Sequence, residues 1–282
     1  MEPLTGDPNG HSPRTLMKPR LAALAWLALL PAVPVLADGP KDNLPDNVRR
    51  IPPPGVAIPD EVRAELTARA AALREAIDAR ATEWRQAMEK DKAAARRIDF
   101  LPDVEVFWKA VDWALRYDEF HDAKQTAWAG EQLAEGEARL ASLAKNEFPW
   151  LAQTGLVVRG YRSRIDDSVQ PFGLVVPSSF RPDSPHRWRL DVWFHGRGEK
   201  LSELDFIQGR RTKPGEFTPQ DAIVLHPYGR YCNGQRFAGE TDFFEALDTV
   251  QRDYRVDEDR IVVRGFSLGG AACWHIAAHH AW

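Results

Sequence analysis

One stretch constrains this chain more than any other. Ile261-Val262-Val263-Arg264 runs into Gly265-Phe266-Ser267-Leu268-Gly269-Gly270 and then Ala271-Ala272-Cys273-Trp274-His275. β-Branched apolar residues favour a strand, the alanine-rich segment favours a helix, and the glycines between them allow an abrupt reversal. The order is therefore strand, sharp turn, helix. A serine with glycines two residues to either side sits in a strained backbone position that pushes its hydroxyl out of the sheet. Ser267 is the candidate nucleophile. The backbone N–H of Leu268, at the positive end of the following helix, is the candidate donor to a developing oxyanion.

The 282 residues, 44% hydrophobic and 28% charged, can bury a full core. A formal net charge of −4 leaves no basic footprint for nucleic acid, which is set aside as a partner. No phosphate-cradling glycine loop is present, and the adjacent His279 and His280 diverge by about 100° on a helix, so neither a cofactor nor a metal is expected.

The N-terminus reads as an export signal. From Met17, read as the start, Lys18 and Arg20 precede an apolar run from Leu21 to Leu30, then Pro31, Pro34 and a small-residue exit at Val35-Leu36-Ala37. Cleavage after Ala37 is expected, giving a periplasmic or secreted protein. The apolar run is shorter than the ~20 residues of a spanning helix, so no stable membrane anchor is expected. Residues 38–59 carry six prolines and two glycines, which favour extended chain, and are read as a linker.

Residues 60–147 read as a helical subdomain. One helix starts at Pro59-Asp60-Glu61 and repeats Leu66, Ala70, Leu73, Ile77, Trp84 and Ala87, with Arg80 interrupting the seam and favouring a helical hairpin. A second is expected from about Pro102 to Arg116, and a third from about Ala123 to Leu143. Their aromatic residues read as core.

At Phe148-Pro149-Trp150 the period changes. Residues 155–161 and 170–177 form an expected antiparallel hairpin turning at Asp166-Asp167-Ser168. Arg189 to Phe194 is a strand ending in His195-Gly196-Arg197-Gly198. Glycines there let backbone amides turn toward the nucleophile, so the amides of Gly196 and Arg197 are the candidate second half of an oxyanion hole. His195 is expected to hydrogen-bond neighbouring loops and shape that turn. Asp221 to Pro227 is a further strand, and Tyr228, Arg230 and Tyr231 beyond it are candidate substrate contacts, because ligands collect at the carboxyl ends of such strands. A helix from Thr241 to Tyr254 leads, through a turn at 256–260, into the strand of the elbow. Cys232 and Cys273 either pair or remain free thiols.

On His195-Gly196-Arg197-Gly198, the Val256-Asp257-Glu258-Asp259-Arg260-Ile261 lead-in and Gly265-Phe266-Ser267-Leu268-Gly269-Gly270, residues 148–282 resemble the α/β-hydrolase superfamily, in particular the branch of prolyl oligopeptidase-like peptidases and related secreted esterases. The resemblance implies an α/β fold, a mostly parallel sheet opened by an antiparallel hairpin. It also implies hydrolysis of an ester or peptide through an acyl-enzyme on Ser267.

The sequence departs from that family in one respect. Acid and base should follow the nucleophile on later loops. The histidines after Ser267 are His275, His279 and His280, all on the expected elbow helix; His275 lies about 12 Å along its axis and should point away from the serine. The chain is therefore read as a C-terminally truncated hydrolase, close to inactive as it stands. The alternative is a non-catalytic exported scaffold with a decayed hydrolase domain.

Overall fold

A computed structural model describes Leu44 and residues 50–280. The expected signal segment, most of the linker and the chain start lie outside the described residues. From Arg50 onward the chain makes one compact unit.

Helix α1, Asp60–Ala87, runs unbroken for 28 residues. Its acidic first turn, Asp60 and Glu61, suits the helix dipole, and its buried stripe is Leu66, Ala70, Leu73, Ile77, Ala81 and Trp84. The hairpin expected from Arg80 is absent. Arg80 is exposed and pairs with Glu83 across one turn, at 2.8 Å, while Ala81 carries the seam inward. A short helix α2, Lys92–Asp99, capped by the Asp91 side chain on the Ala93 N–H, was not anticipated. Helices α3, Pro102–Arg116, and α4, Gln125–Ala144, complete the helical region.

A five-stranded sheet follows, in the order β1-β2-β4-β3-β5. The strands are β1 Gly155–Arg162, β2 Val169–Val176, β3 Trp188–Phe194, β4 Ala222–Pro227 and β5 Val256–Gly265. Pairing is antiparallel for β1 with β2 and β2 with β4, and parallel for β3 with both β4 and β5. Only β2 therefore runs against the rest, and the fold is α/β with an antiparallel hairpin at its start, as the sequence indicates. Three helices intervene or follow: α5 Glu203–Thr212, α6 Ala238–Asp253 and α7 Leu268–His279. Residues 256–260, expected as a turn, belong to β5. They bulge outward, because Trp188 and Leu190 of β3 face Val256 and Ile261.

The helical region and the sheet share one core. Leu73, Ile77, Val104 and Leu133 belong to the same apolar cluster as Phe172, Leu190 and Ile223. Asp103 of α3 fastens it from within: its carboxylate accepts from Arg159 Nε at 2.8 Å, the Gly160 N–H at 2.7 Å and Trp150 Nε1 at 2.9 Å. Arg159, fully buried, reaches on to Asp253 at 2.7 Å. The end of the linker is docked as well. Val56 N–H donates to the Phe120 carbonyl at 2.6 Å, and a Cβ on Gly55 would stand 1.9 Å from the Asp118 oxygen, so only glycine fits there.

Candidate active site

Strand β5 delivers the chain into the elbow. Ser267 adopts φ 53° and ψ −115°, a region that L-residues other than glycine rarely occupy, and is exposed. The turn can be this tight because strand and helix nearly touch. A Cβ on Gly265 would meet the Gly269 oxygen at 2.4 Å, and one on Gly269 would meet the Phe194 oxygen at 2.0 Å. Gly270 is different: its nearest neighbour would be 3.7 Å away, an ordinary contact. Leu268 opens α7, so its N–H lies ahead of the intrahelical ladder.

The turn after β3 lies against the elbow. A Cβ on Gly196 would be 3.8 Å from Ser267 Cβ and 3.4 Å from the Phe266 oxygen. The ring of His195 lies between two strand ends, with Nδ1 2.9 Å from the Gly196 oxygen and Nε2 3.0 Å from the Tyr228 oxygen. It joins the loops after β3 and β4. Arg197 projects outward and pairs with Glu199 at 3.1 Å. Next to it, the Gly198 N–H donates to Cys232 Sγ at 3.1 Å, and burial raises that thiol's pKa. Cys232 and Cys273 are both free.

None of the three C-terminal histidines hydrogen-bonds Ser267. His275 Nε2 and His280 Nε2 each lie 2.6 Å from a Glu240 oxygen on α6, and His279 Nδ1 lies 2.8 Å from the His275 carbonyl oxygen. Helix α7 buries only Gly269, Ala272 and Ile276 of its side toward the sheet, leaving Trp274 81% exposed. Among the described residues no cluster of three His, Cys, Asp or Glu groups is arranged to hold a metal.

Tyr228, Arg230 and Tyr231 do come together, but around a cavity whose lining excludes Ser267. Tyr228 and Tyr231 donate their hydroxyls to the carbonyls of Leu201, at 3.1 Å, and Glu199, at 2.7 Å, in the loop that follows the His195-Gly196 turn. Arg230, at φ 56°, bridges Asp166 and Asp242. Burial raises the Asp242 carboxyl to about 6 against the opposing pull of Arg230. Neither Asp242 nor Glu203 stands out from local spacing, since their partners lie up to 94 residues away.

No family model matches the chain, and no curated protein matches it. Solved structures do. A thermostable esterase aligns at 19% identity and a TM-score of 0.32, over 44% of this chain and 38% of that one. A ferulic acid esterase aligns at 21% identity and 0.35, over 46% and 56%. The fluorophosphonate-binding serine hydrolase FphF of Staphylococcus aureus aligns at 14% identity and 0.35, over 45% and 53%. The likeness is partial in each case: the chain spans 38% to 56% of the length of these three structures.

Proposed function

We propose that the chain carries the nucleophile and oxyanion half of a serine hydrolase that cleaves an ester or peptide bond through an acyl-enzyme on Ser267. The observation that carries this reading is the backbone of Ser267, held at φ 53° between two glycines that nothing larger can replace. Strain at a single exposed serine has no packing benefit to offset it and is the kind of feature retained for chemistry.

In the proposed reaction Ser267 Oγ forms a bond to the substrate carbonyl carbon while its proton passes to a base. The carbonyl oxygen takes the electron pair and accepts from the N–H of Leu268 and from those of Gly196 and Arg197. Collapse breaks the C–O or C–N bond, the leaving group takes the proton, and water later releases the acyl group. By their hydrogen bonds His195, His275 and His280 are not that base, since His195 is engaged by carbonyls and His275 and His280 by Glu240. We read the chain as a serine hydrolase of the prolyl oligopeptidase-like branch, exported through residues 17–37.

A fluorophosphonate probe tests the reading, because it reports an activated serine without needing deacylation. Labelling is expected on the wild type and not on Ser267→Ala. A folded wild type that takes no label in excess of Ser267→Ala overturns it and favours the scaffold alternative.

A further inference from the structure

No other stretch of the described residues collects positive φ angles as the loop after β4 does. From Gly229 to Phe237, Arg230, Tyr231, Gln235 and Phe237 hold φ of 56°, 80°, 53° and 53°, and Gly229 and Gly234 are positive as well. Positive φ is rare for residues with such side chains and costs each about 1–3 kcal/mol, so it persists only where surrounding contacts over-determine it. Those contacts show what the loop is held against.

One set fastens the loop to the scaffold and to itself. Arg230 reaches Asp166, in the turn between β1 and β2, at 2.5 Å and Asp242 of α6 at 2.9 Å. Asn233 donates from Nδ2 to the Gly229 carbonyl at 2.7 Å, and its Oδ1 accepts from the Gln235 N–H at 2.9 Å. The bent conformation is thus fixed at its start and across its middle.

The other set runs to the two segments beside Ser267. Residues 195–201 belong to no helix or strand, so no ladder of hydrogen bonds orients their amides. The loop does so instead: Tyr231 donates its hydroxyl to the Glu199 carbonyl at 2.7 Å, Tyr228 donates to that of Leu201 at 3.1 Å, and the Gly198 N–H donates to Cys232 Sγ at 3.1 Å. His195 Nε2, 3.0 Å from the Tyr228 carbonyl oxygen, closes the set. Further along, a Cβ on Gly234 would stand 3.1 Å from Leu268 Cδ1, so the loop also packs on the first residue of α7. These are the segments whose amides, Gly196 and Arg197 on one and Leu268 on the other, make up the proposed oxyanion hole. Donor direction governs such a site, and a misplacement of ~1 Å can cost ~100-fold in rate.

We propose that residues 228–234 are the positioning element of this site, with Tyr231 and Cys232 setting the amides after His195 and Gly234 seating Leu268. On the serine hydrolase reading above, on which this rests, Tyr231 acts through the backbone of Glu199 and does not meet substrate. The strain in the loop is then the cost of holding two separate segments in one register.

Fluorophosphonate labelling of the full chain over a range of probe concentrations separates the limiting rate of phosphonylation from the half-saturating concentration. Tyr231→Phe keeps the ring and loses the hydroxyl; its limiting rate is expected to fall about tenfold with half-saturation unchanged. Cys232→Ala should fall likewise, and Cys232→Ser, which can still accept from the Gly198 N–H, should recover most of the rate. Thermal unfolding checks that the variants are folded, and the cysteine pair carries the test if Tyr231→Phe is not. A raised half-saturation at an unchanged limiting rate would make Tyr231 a substrate contact and overturns the proposal. So does a wild type that labels no faster than both Tyr231→Phe and Cys232→Ala, or a Cys232→Ser as slow as Cys232→Ala. A folded wild type that takes no label in excess of Ser267→Ala overturns the hydrolase reading itself, and this proposal with it.

Discussion

The α-carbon of Gly269 lies so close to the carbonyl of Phe194 that a methyl group there would stand 2.0 Å from the oxygen. Phe194 is the last residue of β3, immediately ahead of the His195-Gly196 turn. One missing side chain thus lets the elbow helix and the His195-Gly196 turn approach each other.

Substitution at the two neighbouring glycines should therefore diverge. Gly269→Ala forces backbone apart and is expected to cost about 2 kcal/mol or more, roughly 5 °C of melting temperature. Gly270→Ala meets only an ordinary contact and gains helix propensity, so its stability should stay level or rise by about 0.5–1 kcal/mol. Thermal unfolding of the pair checks this, and equal losses would contradict it.

At the elbow, activity and stability should move in opposite directions. Ser267→Gly removes the proposed nucleophile but accepts φ 53° freely, and relief of strain worth about 1–3 kcal/mol should outweigh the added freedom of the unfolded chain. A gain of roughly 2–4 °C is expected, with loss of fluorophosphonate labelling. Ser267→Ala keeps the strain and should melt close to the wild type. A Ser267→Gly protein that melts no higher than Ser267→Ala would show that the elbow is unstrained.

Asp242 gives a pH signature. Its carboxyl is raised to about 6 in the folded chain, mainly by burial, from an ordinary value of 3.8. Between those values the folded state holds a proton that the unfolded state has released, so this group's contribution to stability falls as pH rises from about 4 to about 6. Below 3.8 and above about 6.5 the contribution is flat. Asp242→Asn should thus gain on the wild type by about 2 kcal/mol between pH 4 and pH 7, after allowance for solvent screening. Urea midpoints for both proteins across that range measure it, and a constant difference would refute the assignment.

Asp103 is the fourth test. Replacing it by alanine leaves Arg159 buried with Asp253 as its remaining carboxylate, and strands the Trp150 and Gly160 N–H groups. Loss of about 3–5 kcal/mol is expected in a denaturant titration. A loss under about 1 kcal/mol would mean that the network is not what joins the helices to the sheet.

Much of the fold was legible because its signals are local. The apolar face of Pro102–Arg116 and the β-branched run into Gly265 announce their own elements, and the Gly-x-Ser-x-Gly turn needs only its neighbours. What could not be read depends on distant partners. Helix α5 carries Gln208, Gly209, Arg210 and Arg211 within ten residues and shows no clear apolar period, yet it is fixed by Leu204, Phe206 and Ile207 in the core. Arg80 looks disruptive in the sequence because a seam drawn through it ignores Ala81 one position on. Gly55 reads as linker, and its close fit against Asp118 and Phe120 depends on a turn more than sixty residues later. The cavity gathers Trp113, Gln170, Glu203 and Tyr228 from four separate segments, and no spacing in the chain foretells that.

Arg159 has a consequence for how this molecule can be divided. Its one cation answers a carboxylate of the helical region, Asp103, and one at the end of α6, Asp253, from a position on the first strand. The hydrolase-like half therefore cannot be excised at the change of period near Phe148 as a ready-made module. A chain starting there would keep the elbow sequence intact and yet carry a guanidinium in its core with half its counter-charge gone. The helices are in that sense part of the interior of the elbow-bearing half, and any transplant of the elbow into another scaffold has to bring them along.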